Sequence, residues 1–206
     1  MSRSIFSPDN PLMITMSQIT DCIFLSLFWF VGCMPLVTAG ASTAALYDAV
    51  YHCFHRGEKN CWQRFLHSFK QNLKPGLIPS VLFLAVTAAM VWSGVQMWNG
   101  AVHGQISWAV FAGAGFLLVV LFGILSILFP MLSRFENPTA VLFANTFRLG
   151  MANLPLTVVL GLLNTVAGFL CAVVVVPLFF LPALAALLST LLIEPMFKPF
   201  MPEDTE

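Results

Sequence analysis

Two long stretches of this chain, 76–132 and 149–193, carry no Asp, Glu, Lys or Arg. Short islands before and between them hold nearly all of the basic residues. A water-soluble core has no need of this division, whereas a lipid bilayer imposes it. Helices and closed barrels are the structures that cross lipid, and a barrel would show short alternating segments instead. The pattern therefore predicts an all-α, polytopic membrane helix bundle.

Five apolar stretches are about as long as the roughly 20 residues that a helix needs to cross about 30 Å of hydrocarbon. These predicted spans are 19–37, 77–98, 108–128, 154–176 and 178–197. Pro177 and Pro182 predict a tight turn between the last two. We expect one membrane domain over 1–206. Besides the spans, it consists of an outer N-terminal segment (1–17), a cytoplasmic connector (38–76) and a cytoplasmic tail (198–206).

The basic residues predict the orientation, because cytoplasmic loops of membrane proteins are enriched in Lys and Arg. With five spans, three basic islands fall on the same side of the membrane, and Arg3 alone falls on the other. We expect a multi-pass protein of the bacterial plasma membrane with its N-terminus outside and its C-terminus in the cytoplasm. The residues that carry this prediction are Arg56, Lys59, Arg64, Lys70, Lys74, Arg134, Arg148 and Lys198.

The connector between the first two spans contains a helical stripe, since apolar residues recur at spacings of three and four between polar ones. The stripe consists of Trp62, Phe65, Leu66, Phe69 and Leu73. It predicts an amphipathic helix that begins after Asn60, ends at Pro75 and Gly76, and lies in the inner membrane interface. Two roles stay open for it, a membrane anchor and a docking surface for a partner protein.

A second short helix is predicted before this one, after the flexible and capping residues of 38–42. Ala41, Ala45 and Ala49 recur every four residues along it. Small residues at this spacing permit close contact between helices in membranes. The sequence thus places one or two interfacial helices in the connector.

Composition agrees with a membrane protein, because 59% of the residues are hydrophobic and 9% are charged, against about 25% charged in ordinary soluble domains. The five cysteines are odd in number, and three of them lie in apolar stretches. A disulfide framework is not expected, and reduced thiols are the default.

Few residues offer chemistry. Asp21 and Glu194 lie near the ends of predicted spans, where they reach water or headgroups, and no charge is predicted near the bilayer centre, as an ion-coupled pump would need.

His52, Cys53, His55, Cys61 and His67 lack the spacing of a zinc site, and His52 is expected to pair with Asp48. The sequence gives no reason to expect catalytic residues, a metal, a cofactor or nucleic-acid binding. Weak candidates for a ligand pocket, or for hydrogen bonds between helices, are Gln96, Asn164 and Thr165.

One stretch resembles the start of the YesL-like family of bacterial membrane proteins, a domain of unknown function. The resemblance runs from Asp21 through the connector and is carried by two groups of residues. The first consists of Asp21, Trp29, Pro35, Thr38, Gly40, Ser42, Thr43 and Leu46, and the second of Trp62, Phe65, Phe69 and Lys70. In a structural interpretation, Pro35 ends a span, Gly40 adopts a conformation closed to other residues, and Ser42 or Thr43 caps the next helix. In a functional one, the same residues form a partner surface.

The resemblance implies a role beside carbohydrate transport, because members are often encoded next to carbohydrate uptake transporters and glycan-degrading enzymes. The leading hypothesis is a non-enzymatic accessory or regulatory partner of an oligosaccharide ABC uptake system. The alternative is a small substrate-binding membrane subunit of an importer, which resembles the vitamin-capture components. The expected partners are the lipid bilayer and an ABC transporter subunit or further copies of the chain.

Overall fold

A computed structural model describes residues 11–58, 60–135, 138–174 and 176–197, and throughout these residues the chain is helical or in short connections. The eight α-helices are α1 (Pro11–Cys33), α2 (Ala39–Val50), α3 (Cys61–Val102), α4 (Trp108–Ser126), α5 (Leu128–Arg134), α6 (Thr139–Ala152), α7 (Leu154–Val173) and α8 (Leu181–Phe197). Short 3-10 turns cover Leu36–Thr38 and Val176–Phe179, and a π-helical turn covers Tyr51–His55. The predicted all-α class is confirmed.

Four helical segments are long and apolar enough to cross a membrane, namely Met16–Cys33, Cys61–Val102, Trp108–Arg134 and Leu154–Val173. They coincide with the first four predicted spans. Helix α8 is apolar but has 17 residues, so it is about 25 Å long at 1.5 Å per residue. The fifth span therefore stays a prediction, as does the orientation. Arg3 and Lys198 lie outside the described residues.

Helix α3 corrects the predicted connector. It runs for 42 residues through both Pro75 and Pro79, and its length of about 63 Å is roughly twice the hydrocarbon thickness. The prediction that Pro75 and Gly76 end an interfacial helix is wrong. Proline removes a backbone donor, but contacts with neighbouring helices offset this in membrane proteins. Here α3 packs closely on α2 beside Pro75, where a Cβ on Gly76 would contact the backbone of Ala41. The amphipathic stripe is thus the first half of the second span's own helix.

Helix α2 is the most enclosed element, since residues 40–42 and 44–50 are all buried. It packs against α1, α3, α5 and α8. Ala41, Ala45 and Ala49 are almost completely buried, which confirms the close helix contact expected from their spacing. The short helix predicted at the interface is therefore an inner helix of the bundle.

The outer surface of the bundle is apolar. Large side chains on the spanning helices are exposed, for example Trp92 on α3 at 68%, Leu117 on α4 at 67% and Phe169 on α7 at 67%. Such an area of exposed apolar surface is unusual on a soluble monomer. Lipid chains are the solvent that suits this surface.

Helices α4 and α7 cross closely at two glycines. A Cβ atom on Gly123 would overlap the carbonyl oxygen of Thr157, and one on Gly161 would overlap the carbonyl oxygen of Val119. Since both obstacles are backbone atoms, they cannot move aside as a flexible side chain would. The crossing therefore requires glycine on both helices, as in the small-residue contacts of other membrane proteins.

We predict that Gly123→Ala destabilises the protein by about 1–3 kcal/mol, because the added methyl group forces α4 and α7 apart. Gly113→Ala on the same helix is the matched control, since nothing lies within 4 Å of a Cβ there, and Ala favours a helix by up to about 1 kcal/mol over Gly. Unfolding of the two variants in detergent measures the difference. Equal stability would contradict the close crossing.

Candidate functional site

The first group of family-like residues forms the junction between α1 and α2. The indole nitrogen of Trp29 donates to the Thr43 hydroxyl at 3.2 Å, and the Ser42 hydroxyl donates to the Trp29 carbonyl at 3.0 Å. Leu46 is buried one turn further along α2. These bonds fix α2 against the C-terminal end of α1.

The corner that leads into α2 is held by Thr38. Its hydroxyl donates to the carbonyl of Gly32 at 2.7 Å and to that of Pro35 at 2.8 Å. Helix α1 ends at Cys33, just before Pro35, which confirms that this proline ends a span. Carbonyl groups at the C-terminal end of a helix have no intrahelical partner, so Thr38 satisfies one of them.

Two details of the structural interpretation of this junction are wrong. Gly40 has ordinary helical geometry, since the described positive φ values belong to Gly57 and Gly104. Glycine is required at position 40 by lack of space instead, because a Cβ atom there would overlap Ser80 and Phe129. The N–H of Gly40 donates to the Ser80 hydroxyl at 3.1 Å. Ser42 and Thr43 do not cap α2, which begins at Ala39 and so contains both.

A first ionic cluster lies at the C-terminal end of α2. Arg64 on α3 binds Asp48 through two nitrogens, Nε at 2.8 Å and an NH2 group at 3.2 Å, and the same NH2 group lies 3.2 Å from Nε2 of His52. Because arginine can only donate, Nε2 accepts and Nδ1 carries the proton. Nδ1 is 3.0 Å from the Asp48 carbonyl oxygen and 3.2 Å from its carboxylate. The predicted pairing of Asp48 and His52 is confirmed.

Burial of Asp48 acts to raise the pKa of its carboxyl group, but the hydrogen bonds from His52 and Arg64 and the charge of Arg64 outweigh burial, so the pKa lies below its ordinary value. The carboxylate is therefore ionised in the folded protein at neutral pH. The cluster joins α2 to the first half of α3 with a satisfied, charge-assisted contact.

A second ionic cluster begins one residue earlier, at Tyr47. Its hydroxyl donates to Oε1 of Glu194 on α8 at 3.0 Å, and an NH2 group of Arg134 donates to the same oxygen at 2.6 Å. The Arg134 guanidinium also lies over the ring of Tyr51, 3.6 Å from its centroid, in cation–π contact. Burial first, and then the Glu194 charge, raise the pKa of Tyr47. Glu194 is thus paired within the protein, and its place at the membrane interface stays a prediction.

Cys53 and Cys61 form a disulfide across the turn between α2 and α3, with their Cα atoms 5.7 Å apart. The expectation of reduced thiols is therefore wrong for this pair. Cys22, Cys33 and Cys171 are free. The basic residues predict that this turn lies in the cytoplasm, where disulfides are rare because the compartment is reducing. The disulfide and the charge pattern therefore favour opposite sides of the membrane for this turn.

The second group of family-like residues lies on two different faces of the first half of α3. Phe65 is buried and stacks on Phe69, with ring centroids 6.2 Å apart. Lys70 points outward, and Trp62 is 50% exposed. We call the outward side the α3 outer face; it consists of Trp62, Gln63, His67, Lys70, Gln71 and Lys74.

A cavity of about 260 Å³ lies between α2 and the spans. It brings Trp29, Thr43 and Leu46 of the family-like group together with the pocket candidate Asn164. The other two pocket candidates lie elsewhere: Gln96 is exposed on α3, and Thr165 is exposed on α7 with its hydroxyl bonded to the Gly161 carbonyl. Asp21 is half-buried on α1, away from the cavity lining.

In the part of the chain that the structure describes, no group of three His, Cys, Asp or Glu side chains could hold a metal ion. The ionisable groups that do converge are paired with one another in the two clusters. They resemble the structural ion pairs of membrane bundles more than a nucleophile with its base.

Sequence reasoning missed two ion pairs, Arg64 with Asp48 and Arg134 with Glu194, because it assigned these charges to the membrane interface. The partners are 16 and 60 residues apart, and no periodicity links them. The one available signal was that Glu194 and Arg134 both border long uncharged stretches, where a lone charge is costly.

The fold and these clusters define the chain as an all-α, polytopic membrane protein, and the ion pairs among its described residues lie near the C-terminal end of an inner helix. Residues 22–93 match the model of the family described as "Protein of unknown function, DUF624". The match covers α2 and most of α1 and α3, and the resemblance to the YesL-like family is consistent with it. The comparisons with curated proteins and with solved structures gave no match.

We predict that Asp48→Asn lowers the free energy of unfolding by about 1–3 kcal/mol at neutral pH, because Arg64 and His52 lose their acceptor. The pKa of Asp48 is lower in the folded than in the unfolded state, so its contribution is complete above about pH 4 and is lost as the pH falls through the lower, folded value. Unfolding of both proteins between pH 3 and pH 7 measures this. A difference that does not change with pH would contradict the cluster.

We also predict that Arg134→Met costs about 3–5 kcal/mol, because it leaves the Glu194 carboxylate buried without its counter-charge. The double variant Arg134→Met with Glu194→Met is expected to be more stable than Arg134→Met alone, since it removes both charges together. Denaturation of the two single variants and the double variant gives the coupling energy. Additive losses would show that the two side chains do not interact.

Proposed function

We propose that the protein is a non-enzymatic accessory or regulatory subunit of a carbohydrate ABC uptake system, in the bacterial plasma membrane, and that it docks through the α3 outer face. The family-like residues support the link to carbohydrate uptake, because the resemblance implies it. The observation that carries the docking role is the geometry of α3. About half of this helix exceeds the thickness of the hydrocarbon, and the excess half holds the outer face.

The rigidity of the face supports docking. Its inner side is fixed on α2 by buried Phe65, Ser68 and Asn72 and by the bidentate contact of Arg64 with Asp48. A preorganised surface loses less entropy when it binds. A membrane anchor would need an apolar face toward the lipid instead, yet on this half the apolar stripe, apart from Trp62, packs toward the protein.

The chemistry of the face favours an acidic partner. Lys70 and Lys74 are exposed one turn apart, and His67 and Trp62 extend the surface toward the start of the helix. Exposed cations guide an acidic surface into register, and an exposed Trp is typical of binding hot spots. We expect the partner to be a transporter subunit with an acidic surface on the side of the membrane where α3 begins.

The alternative, a substrate-capture subunit, has less support. It requires a polar pocket, whereas most of the central cavity's lining is apolar or aromatic. An enzymatic role lacks a convergent nucleophile and base in the described residues, and we propose that the chain is not an enzyme.

We predict that charge reversal at Lys70→Glu with Lys74→Glu reduces the recovery of a transporter subunit at least tenfold, because the new charges repel the acidic surface. The measurement is affinity purification from native membranes in mild detergent, with a photo-crosslinking residue at Gln63 to show direct contact. Arg148→Glu, at an exposed cation on α6, is the matched control and should leave recovery unchanged.

Two results would count against docking. One is the absence of any transporter subunit in the wild-type preparation, and the other is equal recovery with the charge-reversed variant. If the face contacts only anionic lipid, the reversal will instead lower the affinity for vesicles that contain phosphatidylglycerol, while partner recovery stays constant.

A further inference from the structure

We infer that the central cavity is a binding site for a small, uncharged and largely apolar molecule that carries one or two hydrogen-bonding groups. This inference does not depend on the accessory function, which concerns a different surface. The cavity is bordered by α1, α2, α3, α4, α5, α7 and α8. Sites between the helices of a bundle are a common location for small ligands.

The lining sets the charge and polarity of the ligand. It contains no Asp, Glu, Lys, Arg or His side chain, so an ion bound there would lack a counter-charge at a large desolvation cost. Aromatic rings from five helices form much of the wall and offer flat apolar contact. They belong to Trp29, Tyr47, Phe83, Phe122 and Phe129.

Two polar groups in the lining have unused hydrogen-bonding capacity. Ser189 is 6% exposed, and its hydroxyl has no hydrogen bond with any described residue. Asn164 donates from its amide nitrogen to the Leu160 carbonyl at 3.0 Å, which leaves its amide oxygen as an acceptor. Both oxygens can accept a hydrogen bond, so a ligand with a donor group would be stabilised by either of them.

Volume limits the size of the ligand. A cavity of about 150 Å³ binds benzene in an engineered protein, so one of about 260 Å³ admits a molecule about the size of two fused rings. A hexose is a poor fit for chemical reasons, because it would bring more hydroxyl groups than this lining can satisfy, at about 1–3 kcal/mol for each unpaired group. The probe of choice is indole, which is flat, uncharged and carries one N–H donor.

A free thiol in the wall provides the measurement. Cys171 lines the cavity, and Cys53 and Cys61 are joined in a disulfide, so replacing Cys22 and Cys33 by Ser leaves a single free thiol. In this background, reconstituted in lipid nanodiscs, indole at ten times its Kd is expected to slow maleimide labelling of Cys171 about tenfold. Glucose and the anion indole-3-acetate, at equal concentration, are expected to have no effect.

Two further variants separate a specific site from general partitioning into lipid. Gly168→Leu fills the cavity where nothing lies within 4 Å of a Cβ, and it should abolish protection by indole. Gly113→Leu, in equally open surroundings but outside the lining, should retain it. Ser189→Ala keeps the shape of the cavity and should raise the Kd roughly two- to tenfold, as the loss of one hydrogen bond predicts.

The inference is overturned if indole gives no protection, if glucose protects equally well, or if protection persists in Gly168→Leu. Should Gly168→Leu fail to give a monodisperse protein, Ala186→Leu on the opposite wall replaces it, with the same expected loss of protection.

Discussion

Lipid offers no hydrogen bonds, and this constraint determines how α2 is built into the bundle. Its glycine N–H, hydroxyl and carboxylate groups are buried, so each needs a partner from the protein. Ser80 and Arg64 on α3, Trp29 on α1 and the Arg134–Glu194 pair supply them. Because these partners lie on different helices, the position of α2 is determined from several sides at once.

The ionic clusters contribute more to the selection of one helix packing than to the stability of the folded protein. A buried pair gives little net stabilisation, since desolvation offsets the attraction, whereas breaking it is costly. Arg134 and Glu194 come from α5 and α8, which are held against α2 by Tyr47 and Tyr51. An alternative packing of these helices would leave a charge unpaired. The pair therefore selects this arrangement among many that would bury similar apolar area.

Local and compositional features could be predicted from the sequence, and long-range ones could not. The uncharged stretches gave the first four spans, and the alanine row of α2 gave its close contacts. The end assigned to the connector helix at Pro75 was wrong, because the rule that proline stops a helix assumes that the lost bond is not compensated. Here the close packing of α3 on α2 offsets the loss. The cavity joins residues from seven helices, so its lining depended on a packing that periodicity does not specify.

Tyr47 and Asp48 connect the cavity with the α3 outer face through adjacent positions of one helix. Tyr47 borders the cavity and reaches Glu194, while Asp48 faces Arg64 on the helix that carries the outer face. Helix α2 is closely packed by small residues along its length, and closely packed elements transmit displacement instead of absorbing it. Neighbouring positions of a helix point in different directions, so one short helix borders both the cavity and the outer face. The two proposed sites therefore share α2 as their common structural support.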